Sequence, residues 1–431
     1  MTKRLISILL AGAAMHAHAQ TVWTYADCVD YARTHNIDLQ KSILGQLTAG
    51  YDLEEAKAQW QPTLDFATTQ GFTNTPWASG DKNVYSGAYG LNAGWTVWNG
   101  GQRENTIRRN ELLTEVSELN TTDVFRSLET DLLQVYLNIL YARDAITIYE
   151  EAEKLSGANA DRAKQLMEAG RISRVDYAQL ASQHEQDMYA LVNARATYET
   201  RCMELKKLLQ LGIDTSVSLS DVTWSDSEVL AQLPPMDESY RMAIDTDVQL
   251  KSLGLQLEGS ELDVKIAKAS GLPSINLSAG VSTAYGAPGP AFGEALKQSL
   301  NEHIGLTLNV PILNNKKTKM AVARANVNRL NAQLDIDQRL LDLSQSVENW
   351  YIDTQSAQSR YTAAVAQLES AEISSELTNA QFELGLLNTV ELMTAHSNLV
   401  NARQTLLQAK YMAMLGQKMV EYYRTAAIAI P

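Results

Sequence analysis

The chain carries its own order twice, and that duplication limits its possible folds more than any other feature. Residues 31–40, YARTHNIDLQ, lie over 242–251, MAIDTDVQLK, at an offset of 211. Residues 56–66, AKAQWQPTLDF, lie over 267–277, AKASGLPSINL, at the same offset, so Pro62 meets Pro273. Farther on, VWNGGQ (97–102) lies over ILNNKK (312–317) at an offset of 215, and Gly170 lies over Gly385 at that offset too. From Asn99 to Gly170 and from Asn314 to Gly385 the spacing is 71 residues in both halves. Order and spacing kept together call for two copies of one structural unit.

Each copy reads the same way. A helix (about 36–60 and 246–270) leads to a proline-started β-hairpin (62–98 and 273–313). A very long helix (101–169 and 316–384) ends in a glycine tip turn (170–173 and 385–388), and a return helix follows (about 173–210 and 388–424). The repeats are expected over 20–233 and 234–431, joined by the segment 212–237 with its Pro234-Pro235 pair.

The hairpin strands have two faces. Tyr89, Leu91, Ala93, Trp95 and Val97 alternate with Gly90, Asn92, Gly94 and Thr96. Ile275, Leu277, Ala279 and Val281 alternate with Ser274, Asn276, Ser278, Gly280 and Ser282. On the last strand Ile304, Leu306, Leu308, Val310 and Ile312 alternate with Gly305, Thr307 and Asn309. Period two gives one apolar face and one small polar face. A soluble sheet packed on one side has this pattern, and so does an outer-membrane barrel. Four strands are too few for a sandwich with its own core, and no amphipathic segment is left over to cover them.

The long helices follow a heptad seam. Leu128, Leu132, Val135, Ile139, Ala142, Ile146 and Tyr149 step by four and three. Ile336, Leu340, Leu343, Val347, Trp350, Thr354, Ala357, Tyr361, Ala364, Leu368 and Ala371 do the same. Such a seam supercoils helices against their neighbours. Helices this long, at 1.5 Å per residue, reach about 100 Å and are expected to span something.

Charge and composition remove whole classes of function. The formal net charge is −14, which argues against a nucleic-acid partner. Mean hydropathy is −0.22, and past the N-terminus no apolar run approaches a membrane helix. Lys3 and Arg4, an apolar Leu5 to Ala14 and the small-x-small Ala17-His18-Ala19 read as a signal peptide over 1–19, so export is expected. Cys28 and Cys202 could pair in an oxidising compartment or be ordinary buried helix residues. No GxSxG, HExxH or phosphate loop occurs, and His35, His184, His303 and His396 have no ligand spacing. No catalytic, cofactor or metal residue is expected, and Trp95 and Trp98 suit membrane-interface girdles better than sugar binding, while Trp77 fits either a girdle or the external loop at about 73–84.

At the tips, Gly170 and Gly385 fit the left-handed position that ends a helix. Ser173 and Asn388 then fit N-caps, with Asp176 and Glu391 three residues on, the spacing of a capping box. Capping alone is a sufficient role for both acids. Repeated around a ring of subunits, the same acids would also attract cations to a narrow mouth.

This ordered set of hairpins, proline strand starts and glycine turns resembles the TolC family of outer-membrane efflux proteins over nearly all of the chain after residue 19. The resemblance implies a mainly α fold with a small transmembrane β part: duplicated coiled-coil helical hairpins plus four strands per chain. Trimers would make a 12-stranded β-barrel in outer-membrane lipid and a periplasmic α-helical tunnel. It further implies that Gly170, Arg171, Ile172, Ser173, Gly385, Leu386, Leu387 and Asn388 contact a periplasmic adaptor linked to an inner-membrane pump. Asp176 and Glu391 would ring the periplasmic entrance, where Thr394 replaces a second acid one turn on. The expected function is small-molecule efflux. Type I protein secretion by the same duct, or an exported coiled-coil structural protein without a pore, are the alternatives.

Overall fold

The computed structural model describes residues 22–77, 79–80, 82–287 and 290–430. The signal peptide expected over 1–19 lies outside the described residues.

In the first half, β1 (Val22–Trp23), α1 (Tyr25–His35) and α2 (Ile37–Ala58) precede β2 (Thr63–Asn74) and β3 (Asn83–Trp98). Then come α3 (Gln102–Glu168) and α4 (Arg174–Leu209), with β4 (Ser218–Leu219) and α5 (Asp226–Val229) in the joining segment. The second half holds α6 (Met236–Thr246), α7 (Val248–Ala269), β5 (Ser274–Ala287), α8 (Phe292–Gln298), β6 (Asn301–Asn309), α9 (Lys317–Glu383) and α10 (Thr389–Thr425). The copies match closely in length. Both α1 and α6 have 11 residues, α2 and α7 have 22, and α3 and α9 have 67.

Spatially the chain forms two compact units, and their division crosscuts the sequence halves. One contains 22–40, 124–247 and 343–430; the other contains Lys41–Asp123 and Val248–Asp342.

The first unit is held by a helical core. Leu132, Leu133, Tyr136, Ile139 and Leu140 of α3 pack with Leu205 and Leu209 of α4, Tyr361 of α9 and Ala413 and Met414 of α10. The two heptad seams lie wholly on buried or half-buried positions. The joining segment is part of this core rather than a free linker. Trp224 and Val229 are buried, and the Val229 carbonyl accepts hydrogen bonds from Gln358 Nε2 (3.0 Å) and Gln417 Nε2 (2.6 Å). Cys28 and Cys202 are free thiols in this cluster. Burial, helped by the Asp27 charge, pushes the Cys28 thiol up to about 12.

The second unit carries one antiparallel sheet in the order β2-β3-β5-β6, so the two hairpins join through β3 and β5. Register places Phe66, Leu91 and Val281 in one row and Leu277 beside Leu306, which gathers the apolar residues on one face. That face is uncovered: Ile304 is 78 % exposed and Leu306 69 %. Three details depart from the simple alternation. Strand β6 stops at Asn309 rather than continuing to Ile312, because Pro311 has no N–H to give the ladder. The β5–β6 connection contains α8, whose Phe292 ring meets Tyr285 edge-on at 4.8 Å, so a small local cover does exist. A β-bulge between Thr96 and Trp98 pairs Trp98 with Ile275, turning it to the same face as Trp95.

Candidate functional site

Both tip turns are built from the backbone upward in the same way. Gly170 and Gly385 have φ of +73° and +74°. The amide of Arg171 donates to the Leu166 carbonyl (2.8 Å) and that of Gly170 to Met167 (2.9 Å). Leu386 and Gly385 repeat this on Gln381 and Phe382, both at 2.9 Å. These are Schellman closures, which satisfy the last helical carbonyls and need a left-handed residue where a side chain would be strained. Beneath the turns Ala163, Leu180, Phe382 and Leu392 form a small buried cluster on which Ile172 and Tyr177 pack.

The side chains at the two tips diverge. At the first, Ser173 Oγ accepts from the Asp176 amide (3.0 Å), and Asp176 Oδ2 accepts from the Ser173 amide (3.1 Å) and hydroxyl (2.8 Å). Thr389 Oγ1 lies 3.1 Å from Asp176 Oδ1 and 2.8 Å from Gln179 Oε1. The Ser173 hydrogen bonds, then the Thr389 contact, hold the Asp176 carboxyl below the usual carboxylate range. At the second tip only half of the expected box forms. Asn388 Oδ1 accepts from the Glu391 amide (3.0 Å), but the Glu391 carboxylate returns no bond to Asn388. It is exposed and has no side-chain partner among the described residues. The surroundings differ: at the first tip the Ser173 hydroxyl and Thr389 both bond Asp176, whereas Asn388 has no hydroxyl and Arg174, the match of Thr389, makes no bond to Glu391 among the described residues.

Other expected positions are placed as follows. Leu386 is exposed where the first turn has the exposed Arg171, and Leu387 and Ile172 are half-buried. Thr394, at the place of the missing acid, bonds its own helix through the Val390 carbonyl (2.8 Å). A cleft of about 360 Å³ beside it is lined by Gln179, Gln183, Met393 and Ser397. Trp95 and Trp98 share a sheet face, and Trp95 Nε1 donates to the Trp60 carbonyl (3.0 Å). Trp77 is 96 % exposed in the β2–β3 loop.

Sequence reasoning missed two groups. Arg103, 2 % exposed, donates to the carbonyls of Gln59 (3.2 Å), Thr96 (2.7 Å) and Val97 (3.3 Å) and stacks over Trp60 at 3.4 Å. It thus occupies the carbonyls beside the bulge and fixes the strand-to-helix corner. The second is a buried pair between the return helices, His396 Nε2 to Asp187 Oδ2 at 2.7 Å, with Gln183 Nε2 on the other carboxylate oxygen (3.0 Å). No sequence signal marks this pair, because its members are 209 residues apart. No cluster of three or more metal-ligating side chains occurs among the described residues.

A sequence profile described as outer membrane efflux protein matches residues 28–210 and 240–414. The outer membrane protein TolC of Escherichia coli K12 is 19 % identical over 96 % of this chain and 84 % of its own length. The toxin and drug export protein A of Aggregatibacter actinomycetemcomitans is 20 % identical over 91 % of this chain and 84 % of its own. Among solved structures, that of CusC superimposes with a TM-score of 0.80 at 18 % identity, covering 95 % of this chain and 94 % of the other.

Proposed function

Because the chain belongs to the outer membrane efflux protein family, and so is an outer-membrane channel with a periplasmic helical tunnel and not an enzyme, we propose that it is a passive exit duct for small toxic molecules. Drugs, detergents and bile salts are delivered to it by an inner-membrane pump through a periplasmic adaptor. The working unit is a homotrimer, in which three sheets close into one barrel.

One observation carries this reading: the four-stranded sheet has an apolar face left open beyond the small cover of α8, a small polar face and two unpaired edges, β2 and β6. Water does not tolerate such a sheet, whereas lipid outside, water inside and edges joined between copies satisfy every group. Exposed apolar stripes on the helices, such as Val327, Leu330, Leu334 and Leu341 of α9, suit contacts between copies. In this arrangement Glu391, with Asp176 behind it, rings the periplasmic entrance, and the tip residues from Gly170 to Ser173 and from Gly385 to Asn388 meet the adaptor. Trp95 and Trp98 lie at the membrane interface.

The test is a deletion strain exposed to detergents, bile salts, dyes and antibiotics, with and without the restored gene. Sensitisation that the gene reverses is expected. Unchanged susceptibility together with the loss of an exported protein from the medium overturns the small-molecule cargo in favour of protein secretion.

A further inference from the structure

The strand register sorts the residues of β2, β3, β5 and β6 onto two faces. The apolar face holds Leu64, Leu91 and Ile304; the other holds small and polar residues. On that second face only two strand residues can carry a charge near neutral pH, Asp65 and His303. They lie in one row across the sheet, since Asp65 pairs with Asn92, Asn92 with Gly280, and Gly280 with His303. Glycine at 280 makes room for this row: a Cβ there would come within 2.5 Å of the His303 ring and 2.9 Å of Asn92 Oδ1. The imidazole therefore leans over Gly280 toward Asn92.

From this row we infer that the barrel carries its own charge-selective belt, with its net negative charge set by pH, separate from the acids at the tip turns. The inference rests on the trimeric barrel reading. The small polar face then lines the pore, and Asp65 and His303 sit on the two edge strands that meet when sheets close. His303 of one copy thus lies on the strand next to that bearing the Asp65 of another. Three copies place one carboxylate and one imidazole each at this level, a formal charge of about −3 with neutral histidines. Histidine is the side chain whose charge ordinarily changes between pH 5 and 8. Protonating all three brings the belt to about zero. The groups facing His303 are Gly280, Ser278 and Ser282 on β5, with Asn92 and Asp65 beyond them in the row, and Asn301 and Gly305 on its own strand. Asp65 is the only charge among them. Glu302 belongs to the opposite face.

The experiment is the reversal potential of purified trimers in planar bilayers at low salt, where screening is weak. The barrel-side chamber is moved from pH 7.5 to pH 5.5, still above the ordinary carboxylate range, and the tip-side chamber is held constant. The native channel should lose roughly two-fold or more of its cation-over-anion preference. His303→Gln should keep its preference at both pH values. Asp65→Asn should prefer cations less than the native channel at pH 7.5, and less still at pH 5.5. Heat-modifiable trimers on a gel confirm that both variants assemble. Conducting trimers with a preference that ignores pH, or with a pH response that survives His303→Gln, overturn the belt and leave the channel standing. Folded trimers that never conduct overturn the barrel reading and the belt with it.

Discussion

Gly170 and Gly385 take the same left-handed backbone and end helices of the same 67 residues, yet the acid six positions on has a different fate at each tip. Asp176 is bound by its own cap and by Thr389 from the other return helix, while the Glu391 carboxylate has no partner among the described residues. The duplication thus preserved what the backbone needs, a residue tolerating positive φ and a cap for the next helix. It did not preserve the neighbours that decide whether a carboxylate is occupied. Of the two acids, Glu391 is the one whose carboxylate is exposed and unbonded among the described residues.

The sharpest way to break this comparison is at the acids themselves. Glu391→Gln should lower the cation-over-anion preference of the channel several-fold in a planar bilayer, and Asp176→Asn should change it much less. Equal losses would erase the distinction between the tips. A bulky residue at the second turn comes next. Gly385→Val forces a β-branched side chain into left-handed backbone at about 1–2 kcal/mol. It should weaken adaptor coupling and efflux-dependent resistance while trimers still form; unaltered transport counts against the tip as a docking element.

Smaller effects sharpen the asymmetry. Thr389→Val removes the hydroxyl between the return helices and should destabilise the tip by about 1 kcal/mol, read by hydrogen exchange at the start of α10. Arg174→Ala, at the matching site, should do nearly nothing there. The least effect is a pH response. The Asp176 pKa is depressed in the folded tip, so the stability it contributes is fully present above the ordinary carboxylate value. That contribution is lost only as pH falls through the lower folded value. Exchange protection at residues 173–176 should therefore hold across pH 5–8, and loosening within that window would contradict the closed capping box.

How far the sequence reached can be judged residue by residue. The equal long helices, the glycine turns and the buried seam from Leu128 to Ala142 were readable because periodicity and left-handed turns are local properties. Strand alternation was readable up to Thr96. Beyond it, the bulge that turns Trp98 beside Trp95 depends on pairing with β5, some 180 residues away, and on Arg103 filling the nearby carbonyls. The local cover supplied by α8 was likewise hidden, because seven residues in a loop show no clear period.

The sequence by itself determined the repeat, the element lengths, the two-faced strands and the shape of the tip turns, since each is written in residues a few positions apart. Only the tertiary structure decided which acid is bound and which is free, that His396 is buried against Asp187, and that Asp65 and His303 share one row. Those outcomes depend on side chains more than 200 residues apart being brought to one tip, one helix pair or one sheet row, and no local pattern encodes which distant side chain will arrive.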